Sequence, residues 1–289
     1  MLVLWGGSDV VETKHAMWLI VVLLASASSL AADETRKPTP LRHAHAHNDY
    51  YHQRPLLDAL DHGFNSVEAD IYLVDGQLLV GHDRHELRPE RTLQNLYLEP
   101  LAKRVKQQGG YVHQAKVPFY LFIDVKERAS ATREVLGKQL LEYKSMVGRR
   151  TGEDAPPAVT IVLSGAEPRR GIMIDGVRLA GADGRLSELE SNASAAAMPV
   201  VSDHWGKHFG EDELTSAQLR RLREVTGEAH ESGRIVRFWA TPDSERLWGT
   251  LLDNGVDLIN TDDLERLSKY LQNRASESQS GSDDKSKPD

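Results

Sequence analysis

The sequence predicts a single-domain α/β protein, a (β/α)8 TIM barrel. Two observations carry this reading. Apolar, strand-like runs alternate with amphipathic stretches throughout residues 41–273, and repeated β-then-α order implies a parallel sheet. The runs number about eight, which favours a closed barrel over an open sheet. With 289 residues, 40% hydrophobic and 27% charged, the chain has the length and composition to bury a sizeable core.

The elements follow in order. A first strand covers Arg42–Asn48. Leu56, Leu57, Ala59 and Leu60 sit between Pro55 and Gly63, the punctuation of a short helix. Ser66–Val74 is a strand, Asp75-Gly76 a hairpin turn and Gln77–Gly81 a strand, counted as the third of the barrel. Phe119–Val125 is then the fourth, followed by a helix over Ala129–Met146. Val159–Leu163, the weaker Gly176–Ala180 and Val200–Ser202 are further strands, with the least regular stretch between Gly165 and Pro199. A charged helix covers Leu214–Ser232. Ile235–Trp239, a helix from Asp243 to Leu252, Val256–Asn260 and a helix from Asp262 to Leu271 complete the series.

The ends read differently. Met17–Ala27 (MWLIVVLLASA) is too short to cross a bilayer comfortably, and small residues follow it. Residues 1–32 are therefore expected to be a signal peptide cleaved near Ala31 or Ala32, with a retained N-terminal anchor as the alternative. The mature protein would be periplasmic or secreted. Residues 33–40 form a Pro-containing linker, and the Ser/Asp/Lys-rich residues 274–289 are expected to be a disordered tail. A net charge of −8 excludes a general nucleic-acid binder, because nothing would collect phosphates along an extended surface. Zero cysteines exclude disulfides, thiolate zinc sites and a Cys nucleophile.

Chemistry concentrates on two strands. With a period of two, Val67, Ala69, Ile71 and Leu73 face the helices, which turns Glu68 and Asp70 into the barrel. Two such carboxylates repel unless one is protonated or a cation lies between them. Phe122, Asp124 and Lys126 repeat the pattern. Three carboxylates and a lysine converging at strand ends describe a pocket for one divalent cation, Mg²⁺ or Ca²⁺ by the oxygen-only ligand set. A buried ion-pair network of Glu68, Asp70 and Lys126 is the alternative. His43, His45 and His47 share a face of the first strand, and His82 follows Gln77–Gly81. Two imidazoles beside a metal-bound phosphate would serve as general base and general acid.

His45-Ala46-His47-Asn48-Asp49-Tyr50, Ser66-Val67-Glu68-Ala69-Asp70 and Val80-Gly81-His82-Asp83, in that order, resemble the glycerophosphodiester phosphodiesterase and phosphatidylinositol phospholipase C-like superfamily. The nearest branch is the one named for altered inheritance of mitochondria protein 6. Ile123-Asp124-Val125-Lys126, Phe238-Trp239-Ala240-Thr241 and Gly255–Asp262 extend the likeness. The resemblance implies Glu68, Asp70 and Asp124 as metal ligands and His82 as one catalytic imidazole. It leaves His45 or His47 as the other, puts Lys126 on the phosphate and makes Trp239 a wall of the pocket. The substrate would be a small phosphodiester, of the glycerophosphodiester or phospholipid-headgroup kind, with membrane contact through an uncleaved N-terminus or a lipid substrate. The sequence departs from the family in having Ala46-His47 in place of Arg-Gly and Asp124 in place of Glu, and in leaving no room for a cap domain between residues 83 and 118. Two other readings compete. One is an amidohydrolase-type metal site on His45, His47 and Asp262 or Asp263. The other is a barrel that binds phosphoesters without turnover.

Overall fold

Alternation along one long strand separates the two environments of the molecule. Val67, Ala69, Ile71 and Leu73 join the large core shared with the surrounding helices. Phe122, Val162, Val200 and Leu258 form a second, smaller apolar cluster, with Tyr120 and Ile235 packed against it. The first cluster glues helices to the sheet, and the second fills the barrel.

The computed structural model describes residues 38–150, 155–166, 170–210 and 213–283. The fold belongs to the unit Thr39–Asp289. The proposed signal segment and all but the last residues of the linker lie outside the described residues. Among its described residues this unit has eleven strands: β1 Leu41–Ala46, β2 Phe64–Val74, β3 Gln77–Val80, β4 Phe119–Val125, β5 Arg149–Arg150, β6 Val159–Gly165, β7 Ile172–Ile174, β8 Val177–Gly184, β9 Val200–His204, β10 Ile235–Trp239 and β11 Ile259–Thr261. Eight of them pair in the order β10-β9-β8-β6-β4-β2-β1-β11, all parallel. A parallel bridge between Arg237 and Leu258 brings the two ends together. The barrel expected from the sequence is present.

Its strand assignment needs correction. Gln77–Val80 is not a barrel strand: β3 folds back antiparallel on β2 through Asp75 and Gly76, whose positive φ values of 48° and 81° suit a tight hairpin turn. Phe119–Val125 is thus the third strand of the barrel, in register with β2 so that Asp70 lies beside Asp124. A second hairpin, β7 to β8 around Asp175 and Gly176, fills the irregular stretch after β6. Only the far end of β8, Gly181 to Gly184, enters the barrel. Among the described residues no α-helix separates β6 from β8, and β7 lies between them instead.

Eight α-helices are described: α1 Leu57–Asp61, α2 Glu99–Gln107, α3 Ala129–Glu142, α4 Lys144–Val147, α5 Trp205–His208, α6 Ser216–Glu231, α7 Glu245–Asp253 and α8 Leu264–Asp283. Thr215 and Ser244 cap α6 and α7 through their side chains. The helix expected over Ala129–Met146 is broken at Tyr143. α8 passes Leu271 and runs to Asp283, into the stretch expected to be disordered. Its first turns dock on the core through Leu264, Leu267 and Leu271, and continuing a helix is cheaper than starting one.

Gly165, at the end of β6, has φ +85°, and a Cβ there would sit 2.4 Å from the Val125 carbonyl oxygen and 2.9 Å from Asp124 Oδ1. Gly165→Ala is therefore expected to cost about 1–3 kcal/mol of stability, read from urea unfolding, because neither backbone nor carboxylate can give way freely.

Candidate active site

The first strand presents three imidazoles to the barrel interior at three depths. His43 lies at the strand's start, exposed, with Nδ1 2.8 Å from the Asp257 carbonyl oxygen. His45 is fully buried in mid-barrel. His47 stands just past the end of β1, at the mouth formed by the C-terminal ends of the strands.

The middle layer is an ion-pair network. Arg237, inward-facing on β10, donates from Nη1 to Glu68 Oε2 at 2.8 Å and to His45 Nε2 at 2.6 Å. His45 Nδ1 is 2.7 Å from Ser66 Oγ, and its ring meets the edge of Phe122 at 4.8 Å. The Arg237 guanidinium lies over the Phe122 ring, 4.5 Å from its centre. Burial, aided by Arg237, lowers the His45 pKa to about 4. The imidazole is therefore neutral, donating at Nδ1 and accepting at Nε2. Burial alone would raise the Glu68 pKa, but the adjacent Arg237 guanidinium outweighs it and holds the carboxyl well below the ordinary range.

One layer higher, Lys126 Nζ bridges Asp70 Oδ2 at 2.7 Å and Asp124 Oδ2 at 2.9 Å. Asp70 Oδ2 also lies 2.7 Å from the Tyr50 hydroxyl and 3.0 Å from His82 Nδ1, while Asp124 Oδ1 accepts from Ser164 Oγ at 2.7 Å. Burial and the neighbouring Glu68 raise the Asp70 pKa. For Lys126, burial opposes the charge but Asp124 and Asp70 outweigh it, and its pKa rises. His47 Nδ1 is 2.9 Å from Asp262 Oδ1; burial opposes protonation there too, but Asp262 and Glu68 leave its pKa raised. Trp239 ends β10 at the same mouth, half-buried and edge-on to His204 at 4.6 Å.

The structure thus brings His47, His82, Asp70, Asp124 and Lys126 together at the mouth. It places His45 and Glu68 one layer below them, where Glu68 Oε2 and His45 Nε2 both meet Arg237 Nη1. His45 has both nitrogens engaged and no exposure, so of the two first-strand candidates only His47 can reach a substrate. The same fact removes the basis for a paired-histidine amidohydrolase site. Arg237, Tyr50 and the pairing of His47 with Asp262 escaped the sequence reading. Arg237 had a signal: a lone cation at an inward position of the apolar strand IVRFW must meet an opposite charge.

A model of an AIM6-like phosphodiesterase domain matches residues 32–175, and one of the glycerophosphoryl diester phosphodiesterase family matches residues 236–265. The chain is 31% identical to the altered inheritance of mitochondria protein 6 homolog of Arthroderma benhamiae, over 83% of this chain and 86% of that one. The chain belongs to this family. Altered inheritance of mitochondria protein 6 of Eremothecium gossypii is 30% identical over 84% of this chain and 72% of its own length. Among solved structures, a glycerophosphodiester phosphodiesterase from Agrobacterium tumefaciens str. C58 overlaps with a TM-score of 0.48 and 15% identity, covering 80% of this chain and 99% of its own. One from Parabacteroides distasonis gives 0.47, 15%, 82% and 99%. The family assignment identifies the barrel as a phosphodiesterase domain.

The donor chemistry at the mouth fits a hard divalent cation. Asp70 Oδ1 is buried and accepts no hydrogen bond, which is costly for a carboxylate unless something else fills the position. The three carboxylates are not drawn into a cage as they stand. Among the described residues, the only trio of acidic or imidazole ligand atoms within 4.8 Å of one another is the surface group Asp83, His85 and Glu86. Lys126 occupies the gap between Asp70 and Asp124, so a cation held there would compete with its ammonium.

The buried imidazole has a pH signature. Its ordinary value of 6.5 falls to about 4 on folding, so the unfolded chain takes up the proton first as pH falls. The stabilisation is complete above pH 6.5 and is lost between 6.5 and 4, at up to about 1.4 kcal/mol per pH unit. Asp70 tilts the other way at the acid end of this window, so the readout is the difference between chains: urea midpoints of His45→Gln should fall less steeply with pH than those of the wild type.

Proposed function

We propose that the chain is a metal-dependent phosphoric diester hydrolase, with His47 and His82 as its acid–base pair. The observation that carries this reading is the pair itself. Two imidazoles flank the Asp70–Lys126–Asp124 cluster, each with Nδ1 on a separate carboxylate, Asp262 and Asp70. A carboxylate at Nδ1 fixes the tautomer and leaves Nε2 to exchange protons. His45 is a positioning residue beneath them.

In the proposed reaction one imidazole removes a proton from the nucleophile, either water or a neighbouring substrate hydroxyl, as its oxygen bonds to phosphorus. The other donates a proton to the departing alkoxide as the second P–O bond breaks. Lys126 holds a non-bridging oxygen, its raised pKa keeping it charged. Glu68, Asp70 and Asp124 would hold one Mg²⁺ or Ca²⁺, which supplies Lewis-acid polarisation of the phosphoryl group. Substrates are glycerophosphodiesters or phospholipid-headgroup diesters, a class consistent with the family's phosphodiesterase domain. Export, with membrane contact through an uncleaved N-terminus or a lipid substrate, belongs to the same proposal and rests on residues 1–32.

Assays on glycerophosphodiesters and bis(p-nitrophenyl) phosphate, with and without chelator, test this. Chelator should abolish turnover and added Mg²⁺ or Ca²⁺ restore it; undiminished activity in chelator would overturn the metal assignment. Inactivity on every diester with intact metal binding would favour the non-catalytic binding barrel.

Single replacement of His47 or His82 by Ala should lower kcat about 10²- to 10⁴-fold on an alkyl diester. With p-nitrophenolate, which leaves without a proton, the general-acid variant should recover most of its rate, and that difference assigns the two roles.

A further inference from the structure

Half of the barrel mouth takes no part in the chemistry just described. The reacting groups cluster on β1, β2 and β4, whereas in the strand order β9 and β10 stand across the barrel from β2 and β4. Their last residues, His204 and Trp239, are register partners. Inward parity places them there: Val200 fills the barrel interior and Ser202 reaches the inward Asp183, so His204 follows on the same side.

His204 is poorly satisfied for a half-buried imidazole. Nδ1 is buried without a hydrogen-bond partner, and Nε2 has none among the described residues. An unused buried nitrogen costs free energy, and folded proteins rarely keep one without a reason. A buried bare nitrogen is cheaper than a buried N–H, so the proton belongs on Nε2 and the ring offers a donor. The position is also shaped. Gly206 lies beneath the ring, where a Cβ would come within 3.1 Å of His204 Cε1 and 3.3 Å of Nδ1. Ala240, directly after Trp239, has φ +54°, a conformation that costs a non-glycine residue energy and recurs at functional sites. The indole, half-buried, stands edge-on to His204.

We propose that His204 selects the alcohol arm of the diester, donating from Nε2 to a hydroxyl oxygen of an arm whose C–H face lies over Trp239. This rests on the phosphodiesterase reading and names its specificity element. The recognised chemistry is a hydroxylated arm: glycerol, a sugar and a cyclitol all supply a C–H face with oxygen acceptors at its edge. An alkyl arm supplies only the face.

The test uses the full chain and two diesters with the same p-nitrophenyl leaving group, one carrying a glyceryl arm and the other an ethyl arm. The wild type should favour the glyceryl diester. His204→Ala should raise KM for that substrate about tenfold more than for the ethyl one, the worth of one hydrogen bond, with kcat altered much less. His204→Gln, which restores an N–H donor, should recover most of the preference. Equal losses on both substrates in His204→Ala, or no recovery in His204→Gln, would overturn the proposal. Should the alanine variant unfold by circular dichroism, the glutamine variant alone decides, since loss of preference in a folded, donor-bearing chain contradicts the assignment. A wild type inactive on both diesters with metal present would instead overturn the phosphodiesterase reading, and this inference with it. Sugar and inositol diesters then distinguish the source of the arm.

Discussion

Three carboxylates on two neighbouring strands are the constraint around which this barrel is arranged. Asp70 and Asp124 are register partners, and Glu68 lies one inward position below. Paired strands run only about 4.8 Å apart, so such charges cannot coexist unaccompanied in a low-dielectric interior. The fold answers from two directions. Lys126 reaches back from the end of β4 to bridge the upper pair, and Arg237 crosses from β10 to hold Glu68. The two solutions are unequal. Glu68 Oε2 gains a guanidinium cation, whereas Asp70 keeps one buried oxygen with nothing bound to it. The open carboxylate oxygen nearest the mouth is thus Asp70 Oδ1.

The histidines follow the same vertical division. His45 is drained of acid–base character by burial and by Arg237, and its work is to hold the network over Phe122. His47, two residues on, emerges into the mouth and gains the opposite shift from Asp262. Identical residue types on one face of one strand thus take different roles, because the strand carries them through different dielectric surroundings.

Much of this was legible beforehand, for physical reasons. Period-two alternation on Ser66–Val74 placed Glu68 and Asp70 inside, and the same parity placed Asp124 and Lys126 beside them. Which strands close the barrel was harder. Gln77–Val80 has the composition of a strand either way, and only pairing direction separates a hairpin arm from a barrel stave. Asp175-Gly176 carries the same turn signal as Asp75-Gly76, so the β7–β8 hairpin was readable and went unread. The depth of each histidine was not readable, because parity gives the face and never the height at which a strand leaves the core. Arg237 meets Glu68 only through closure of the sheet, and His204 meets Trp239 only through the pairing of β9 with β10.

The β2–β3 hairpin has a mechanical consequence. His82 follows the return arm of the strand that carries Asp70, and Ile71 pairs with Val80 beside them. Their spacing is therefore governed by a local ladder rather than by the radius of the barrel. The acid and the imidazole thus belong to one hairpin, and the distance between them is set within it whatever the opposite wall of the barrel contributes.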